Sequence, residues 1–318
     1  VWQLPGDPRG GPEVAAASLA AFAAEAHAAG RAAPRVGVCG GDGTSSWVLA
    51  ALAAAWRPGV PLPAVAVLPQ GTGNDLSRCT GWASCAATAA ALASAGSAQQ
   101  LQQLQRAVAD ARTAPLDWWQ AEASSDGDGA SSSPSRSLRF TNYLSIGFDA
   151  GVALGFDAAR KAAPALFASR AGNKAAYGLI GAVDSARGAC AMLDAQLTVS
   201  ADGMPVALPR GAKGVVLLNI GSFMGGARPW PADDVRAPAV DDGALEVVAH
   251  FGAVHLAAMT LGVVPGVPLA VAREVTLRFS AAEAVPMQAD GEAWAQQGPA
   301  RVTVQRAGAV PLLHRDVE

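Results

Sequence analysis

Residues 35–76 read RVGVCGGDGTSSWVLAALAAAWRPGVPLPAVAVLPQGTGNDL, and their reading decides the fold. Residues 35–39 form a short apolar run bounded by glycine. Residues 44–56 then take on helical composition, with Trp47, Leu49 and Leu52 as the larger apolar side chains. The pattern repeats: 63–68 is apolar and strand-like, 69–75 is a turn, and helical composition resumes at Leu76. Short buried strands alternating with helices predict a parallel α/β sheet.

The two turns are the chemically informative part. The first is Gly40-Gly41-Asp42-Gly43-Thr44 and the second Gly71-Thr72-Gly73-Asn74-Asp75. Glycine permits positive φ and close approach of a ligand to the backbone. The amides at a helix start, together with the helix dipole, favour an anion there. If the two strands are neighbours, both turns open at the carboxyl edge of the sheet, where open α/β folds bind ligands. One glycine turn is explained by any tight connection, whereas two that each combine Gly, Thr and Asp point to a phosphate site. Neither is a G-x-x-x-x-G-K-[ST] loop, and G-x-G-x-x-G is absent as well.

Working outward, residues 15–29 read as an Ala-rich helix closed by Gly30 and Pro34, and 85–95 as another. Beyond residue 115 the character changes. A strand is predicted over 116–121, and the polar tract SSDGDGASSSPSRS (124–137) reads as a disordered loop with almost nothing to bury. Strand-like runs follow at 140–148, 195–200, 214–221, 245–251, 274–279 and 301–305, interrupted by one helical stretch over 174–187. This predicts an α/β domain over 1–115 and a mostly β, sandwich-like domain over 116–318, with the last residues able to return to the first.

A length of 318 residues accommodates two domains. With 23 basic and 26 acidic side chains the formal charge is -3, and this lacks the basic excess of a dedicated nucleic-acid binder. Cys39, Cys79, Cys85 and Cys190 include no C-x-x-C pair, so they read as free thiols of a reducing compartment. The most apolar stretch, 254–272, is broken by His255, Gly262, Pro265, Gly266 and Pro268, which argues against a membrane span. The start VWQLP carries neither an initial Met nor a signal-peptide pattern. His27, His250, His255 and His314 show no ligand spacing and read as structural or surface residues. Trp118, Trp119, Trp230 and Trp294 read as packing residues.

The segments GGDGTSSWVLAAL (40–52) and AVAVLPQGTGNDLSRCTGW (64–82) resemble the catalytic domain of the diacylglycerol kinases. NYLSIGFDAGVALGF (142–156), SRAGNKAAYG (169–178), VLLNIGSFMGGARPW (216–230), DDGALEVV (241–248) and PMQADGEAW (286–294) resemble the accessory half of the same enzymes, in the same order. The resemblance implies a cytoplasmic lipid kinase, peripheral at membranes, that moves the γ-phosphate of ATP onto diacylglycerol with Mg²⁺ to give phosphatidic acid. It also implies a site in the cleft between an α/β nucleotide domain and a β-sandwich domain.

By the same resemblance Gly40, Gly41, Asp42, Gly43 and Thr44 hold the ATP phosphates, helped by Ser45 and Ser46. Thr72 supplies a hydroxyl, while Gly71, Gly73 and Asn74 shape the pocket. Asp42 is either a carboxylate on Mg²⁺ or a turn residue that binds backbone amides. Asp75 is a candidate helix N-cap. In Asp290-Gly291-Glu292 two acids flank a glycine, as at a tight bend between strands. Composition alone suggests a surface turn; within the family motif, Asp290 is the candidate base for the acceptor hydroxyl and Glu292 its understudy. Asp242 and the Ala244 carbonyl match a second, structural Mg²⁺ site of related kinases, although Ala239 offers no side-chain ligand there.

Two departures stand out. The family opens its catalytic domain with a strand and an N-P-x-S-G loop, whereas Val1-Trp2-Gln3-Leu4 already resembles the following strand. A chain limited to these residues is expected to be poorly active. The stretch 259–272, basic in relatives, is apolar until Arg273, so membrane contact is expected through exposed apolar residues. Sphingoid-base and NAD kinases share the GGDG turn; Ser45 and Ser46 in place of an acidic residue, together with GTGNDLSR, favour diacylglycerol as acceptor.

Overall fold

Strands β1 (Arg35–Gly40) and β2 (Ala64–Pro69) pair in parallel, in register from Arg35 opposite Ala64 to Gly40 opposite Pro69. The two glycine turns therefore leave adjacent strands at the same end. The computed structural model describes residues 11–85, 88, 97–125, 135–167, 170–191, 193–231, 239–280 and 283–315. It divides into two units, Val1–Leu116 with Ala309–Glu318, and Asp117–Gly308.

In the first unit, α1 (Pro12–Ala28) buries Ala16, Ala20 and Ala23 on one face and packs on α2 (Asp42–Ala55). The Trp47 indole N–H donates to Glu13 Oε1 at 2.8 Å between them. Helix α2 in turn buries Ser45, Leu49 and Leu52, at spacings of four and three. A short α3 (Asp75–Cys79) follows the second turn. Helix α4 (Ala98–Asp110) starts at a capping box in which Ser97 and Gln100 satisfy each other's amides. It buries Leu104 and Ala107 against Ala64, Ala66, Leu68, Trp82 and Leu313. The Arg35 guanidinium caps the far end of α4, donating to the Val108 and Ala111 carbonyls at 2.9 and 2.6 Å. The end of the chain's last strand adds to this sheet, Leu312 lying parallel to Val65.

The second unit begins within β3 (Arg112–Ser125), which forms a hairpin with β4 (Arg136–Phe140). The chain then passes through β5 (Tyr143–Gly147), α5 (Phe148–Ala162), α6 (Arg170–Ala186) and α7 (Leu193–Gln196). Next come β6 (Leu197–Ala201), β7 (Met204–Val206), β8 (Gly214–Leu218), β9 (Leu245–His250) and α8 (Ala253–Thr260). The last strands are β10 (Val267–Ala272), β11 (Glu274–Phe279), β12 (Val285–Ala289), β13 (Glu292–Gln296) and β14 (Ala300–His314). One antiparallel sheet runs β10-β9-β8-β5-β12-β13, and β14, β11, β6 and β7 pair antiparallel in another.

Alternate residues of the two sheets form one core. Leu144, Ile146, Val215, Leu217 and Val247 pack with Val199, Val275, Leu277, Val302 and Val304. The other face of the six-stranded sheet, Tyr143, Val216, Leu218 and Val248, is covered by Phe148, Val152, Leu256 and Met259 from α5 and α8. With both faces covered, β5, β8 and β9 are buried along their whole length.

The expected strand over 140–148 is corrected. It breaks at Thr141-Asn142, and Phe148 opens helix α5. Helix α2 starts at Asp42, two residues before the predicted start, and α4 and α8 have no counterpart in the sequence reading. The helix over 85–95 and most of the loop over 124–137 fall outside the described residues, as does 1–10.

Candidate active site

The two glycine turns touch. A Cβ on Gly71 would lie 2.4 Å from Gly41 Cα, so that position requires glycine, and one on Gly41 would lie 3.0 Å from Gly71 Cα, a contact tighter than side chains ordinarily make. The Gln70 amide donates to the Gly40 carbonyl at 2.9 Å, sewing the second turn to the first. Asn74 sits at φ 56 and closes its own turn, accepting from the Gly71 amide at 2.7 Å and donating to the Gly71 carbonyl at 2.8 Å. Gly41 follows β1 in extended backbone and is the N-cap of α2 without a capping side chain. The first amides of α2 have no acceptor inside the helix, which leaves this start suited to an anion.

The second turn is used differently from the first. Asp42 Oδ2 accepts from the Asp75 amide at 3.1 Å and Oδ1 from the Leu76 amide at 3.0 Å. The carboxylate thus caps α3, and the anion position at that helix start is filled from within the chain. Of the two readings of Asp42, the amide-binding one describes its geometry. Asp75 is corrected as a cap: it is the first residue of α3 and wholly buried. Ser45 is corrected as a phosphate ligand, because its buried hydroxyl donates to the Gly41 carbonyl at 3.1 Å. Gly40, Gly43, Thr44, Ser46, Thr72 and Gly73 are part-buried around the touching turns.

In the second unit β12 and β13 form a hairpin closed by Asp290 and Gly291, at φ 49 and 88. Both central residues thus have the positive φ of the tight two-residue turns. Asp290 is 3% exposed, so its side chain does not stand at the surface. Its Oδ1 accepts from the Asn142 and Tyr143 amides at 2.8 and 3.2 Å, and its Oδ2 from the Thr141 amide at 2.8 Å. The Thr141 hydroxyl lies 3.1 Å from Asp290 Oδ2 and also 3.1 Å from Asn142 Oδ1, so its single proton has two acceptors. Glu292, two residues on, is exposed.

Residues that the sequence reading did not single out hold this hairpin. Asn219, 1% exposed, grips the carbonyl side of the bend that Asp290 grips by its amides. It donates to the Thr141 and Asp117 carbonyls at 2.5 and 2.9 Å and accepts from the Trp119 indole at 2.7 Å. A buried chain reaches the turn from the other side. His250 meets Asp149 at 3.0 Å, and Asp149 accepts from the Ser145 hydroxyl. Gln288 donates to Ser145 Oγ at 2.9 Å and accepts from the Gly291 amide at 2.9 Å. Ser145–Asp149 and Gln288–Gly291 are local contacts, four and three positions apart, whereas Ser145 and Gln288 pair across strands from 143 positions apart and Asp149 and His250 from 101, and no spacing signals those.

The residues of the expected structural-metal position are engaged within the chain. Asp242 Oδ1 accepts from the Ala244 amide at 3.0 Å. Buried Asp117 accepts from the Gly243 amide at 2.6 Å and from Arg306 Nε at 2.5 Å, so a guanidinium supplies the positive charge at this bend. Both oxygens of Asp42 are bonded to amides. Among the described residues no group of three His, Cys, Asp or Glu side chains could hold a metal ion.

The model described as diacylglycerol kinase catalytic domain matches residues 13–105, and that described as diacylglycerol kinase accessory domain matches 139–293. The chain belongs to the diacylglycerol kinase family. Both glycine turns lie in the catalytic-domain match, and the Asp290 hairpin, Asp242 and Asn219 in the accessory-domain match. It is 35% identical over 284 residues to human diacylglycerol kinase theta, covering 88% of this chain and 29% of that protein. It is 34% identical to diacylglycerol kinase 2 of Arabidopsis thaliana, covering 88% of this chain and 39% of the relative. The chain thus spans well under half the length of these relatives. A crystal structure of a diacylglycerol kinase from Bacillus anthracis shares the fold, at a TM-score of 0.52 and 17% identity, covering 95% of this chain and 83% of that one. No helix among the described residues of this family member is long and apolar enough to cross a membrane.

Proposed function

We propose that the chain is the kinase portion of an enzyme that transfers the γ-phosphate of ATP to the primary hydroxyl of 1,2-diacylglycerol, giving phosphatidic acid and ADP. The observation that carries this reading is the contact of the two glycine turns at the open start of α2. They form a backbone cradle for phosphates in which a side chain at Gly71 has no room. Phosphoryl transfer asks a protein chiefly for positioning and charge stabilisation. Mg²⁺ enters this account with the nucleotide, as part of the substrate.

Asp290 is the proposed base. Three backbone amides orient its carboxylate, and the Thr141 hydroxyl is a rotatable donor to it. If that proton turns to Asn142 Oδ1, a substrate hydroxyl can take its place on Oδ2 and lose its proton there as the O–P bond forms. Asp290→Asn should lower turnover by about 10²–10⁴-fold while ATP binding survives, and Glu292→Gln should have a smaller effect. Near-normal turnover of Asp290→Asn removes it from the chemistry. The acceptor is tested with γ-labelled ATP and a panel of diacylglycerol, ceramide, sphingosine and NAD resolved by thin-layer chromatography. Preferential labelling of sphingosine or NAD overturns the substrate assignment, and vesicle binding without turnover indicates a lipid-binding module.

A further inference from the structure

Helix α8 and the turn after it carry an apolar surface that the fold leaves uncovered. Val254 is 83% exposed, Leu261 79% and Val263 71%, and Phe251 and Val264 are exposed beside them. Residues 254, 257, 258 and 261 share one helix face, whereas Leu256 and Met259 are buried against the six-stranded sheet. The exposed side chains are therefore the outward stripe of a packed helix.

The turn itself is firmly built. The Gly262 amide donates to the Met259 carbonyl at 3.0 Å and the Val263 amide to the Ala258 carbonyl at 2.9 Å, with Gly262 at φ 70, the Schellman arrangement. A residue in the place of Val263 frequently packs back onto its helix; here it stands out. His255 fastens both ends of the segment, its Nδ1 accepting from the Phe251 amide at 3.1 Å and its Nε2 lying 3.0 Å from the Pro265 carbonyl. Residues 251–272 contain no Asp, Glu, Lys or Arg.

We propose that this turn, with Leu261 and Val263 at its tip and Val254 beside them, is the segment that enters the apolar layer of a lipid bilayer. The inference rests on the proposed function, because an acceptor dissolved in a membrane requires the enzyme to meet that membrane. The chemistry of the segment fits that occupant. It has no ionised side chain to desolvate, and the Schellman bonds satisfy amides and carbonyls of its tip internally. A few aliphatic side chains fall short of the roughly 800 Å² per partner that a standard protein interface buries. The segment itself carries no Lys or Arg, so its attachment does not depend on anionic lipid; Lys213, whose side chain packs on Gly252, belongs to the loop before β8.

The test is sedimentation of the full chain with vesicles of neutral phosphatidylcholine at low and high salt, beside the double variant Leu261→Asp, Val263→Asp. The chain should partition onto neutral vesicles with little salt dependence, and the variant at least about tenfold less, with an unchanged thermal midpoint. Turnover on short-chain, water-dispersed diacylglycerol should be the same for both. Failure of both proteins on that substrate would count against the kinase reading and leave the partition result to decide the surface. The proposal is overturned if the chain ignores neutral vesicles, if it binds only anionic vesicles in a salt-reversible way, or if the variant binds as well as the parent. It is equally overturned if light scattering shows a dimer that the variant dissociates.

Discussion

Gly71 is the residue on which the contact of the two glycine turns, the proposed phosphate cradle, depends. Adding one methyl group there places a carbon 2.4 Å from Gly41 Cα, backbone against backbone, and no rotamer relieves it. Gly71→Ala should separate the turns, cost about 1–3 kcal/mol of stability and weaken ATP binding at least tenfold in a calorimetric titration. Gly37→Ala, whose Cβ would meet Leu68 Cδ1 at an ordinary 3.5 Å, should change neither and serves as the control. A second residue-level consequence concerns Cys190. Burial first, then the nearby Asp149 and Asp184 carboxylates against Lys213, push its thiol up to about 11. A raised value keeps the neutral thiol across the physiological range, leaving roughly a thousandth as thiolate at pH 8. Alkylation followed by mass spectrometry should find Cys190 slow at pH 8 and accelerating only toward pH 11; rapid labelling at pH 8 would show that its surroundings are misjudged. The sequence marked Gly71 through its motif, whereas the surroundings of Cys190 come from residues distant in the chain.

Among elements, the bend at Thr141-Asn142 shows why local pattern falls short. Phe140, Tyr143, Leu144, Ile146 and Phe148 make 140–148 apolar enough to read as one strand, yet β4 stops at Phe140 and β5 starts at Tyr143. Asp290 gathers three consecutive amides between them, and Asn219 holds the carbonyls. Those partners lie some 78 and 149 positions away, outside any window of periodicity. By contrast β1 and β2, short apolar runs closed by glycine or proline, declare themselves locally, and so does β11, found at its predicted bounds. The bend near Asp117 gives a test at this scale. Arg306 meets a carboxylate that is 1% exposed, so Arg306→Ala leaves a buried charge with fewer partners and should cost about 1–3 kcal/mol in chemical denaturation. Chelation with EDTA, in the absence of nucleotide, should leave the thermal midpoint where it was. A fall in the midpoint with EDTA would mean that a metal, and not the guanidinium, holds this bend.

For the whole molecule, alternation of strand and helix in the first third and dominance of strands afterwards conveyed the architecture, since each follows from how an element buries its faces. Beyond the helical stretch over 174–187, that pattern did not convey the helices of the second unit. Helices α5 and α8 cover a sheet whose strands are apolar on both faces, and both helices are rich in Ala, α8 being short and without a strong helical period to mark it. The glycine turns were legible because two backbone segments in contact demand glycine at fixed places. The support of Asp290 was not, because Asp149, His250, Ser145 and Gln288 are ordinary buried polar residues until the fold brings them together. Incubating the chain with γ-labelled ATP, Mg²⁺ and dispersed 1,2-diacylglycerol, beside Gly71→Ala and Asp290→Asn, tests the account most directly. Label should appear in phosphatidic acid with the parent chain, even if slowly, and nearly vanish with both variants. Label transferred equally well by either variant, or to sphingosine or NAD in place of diacylglycerol, would contradict it.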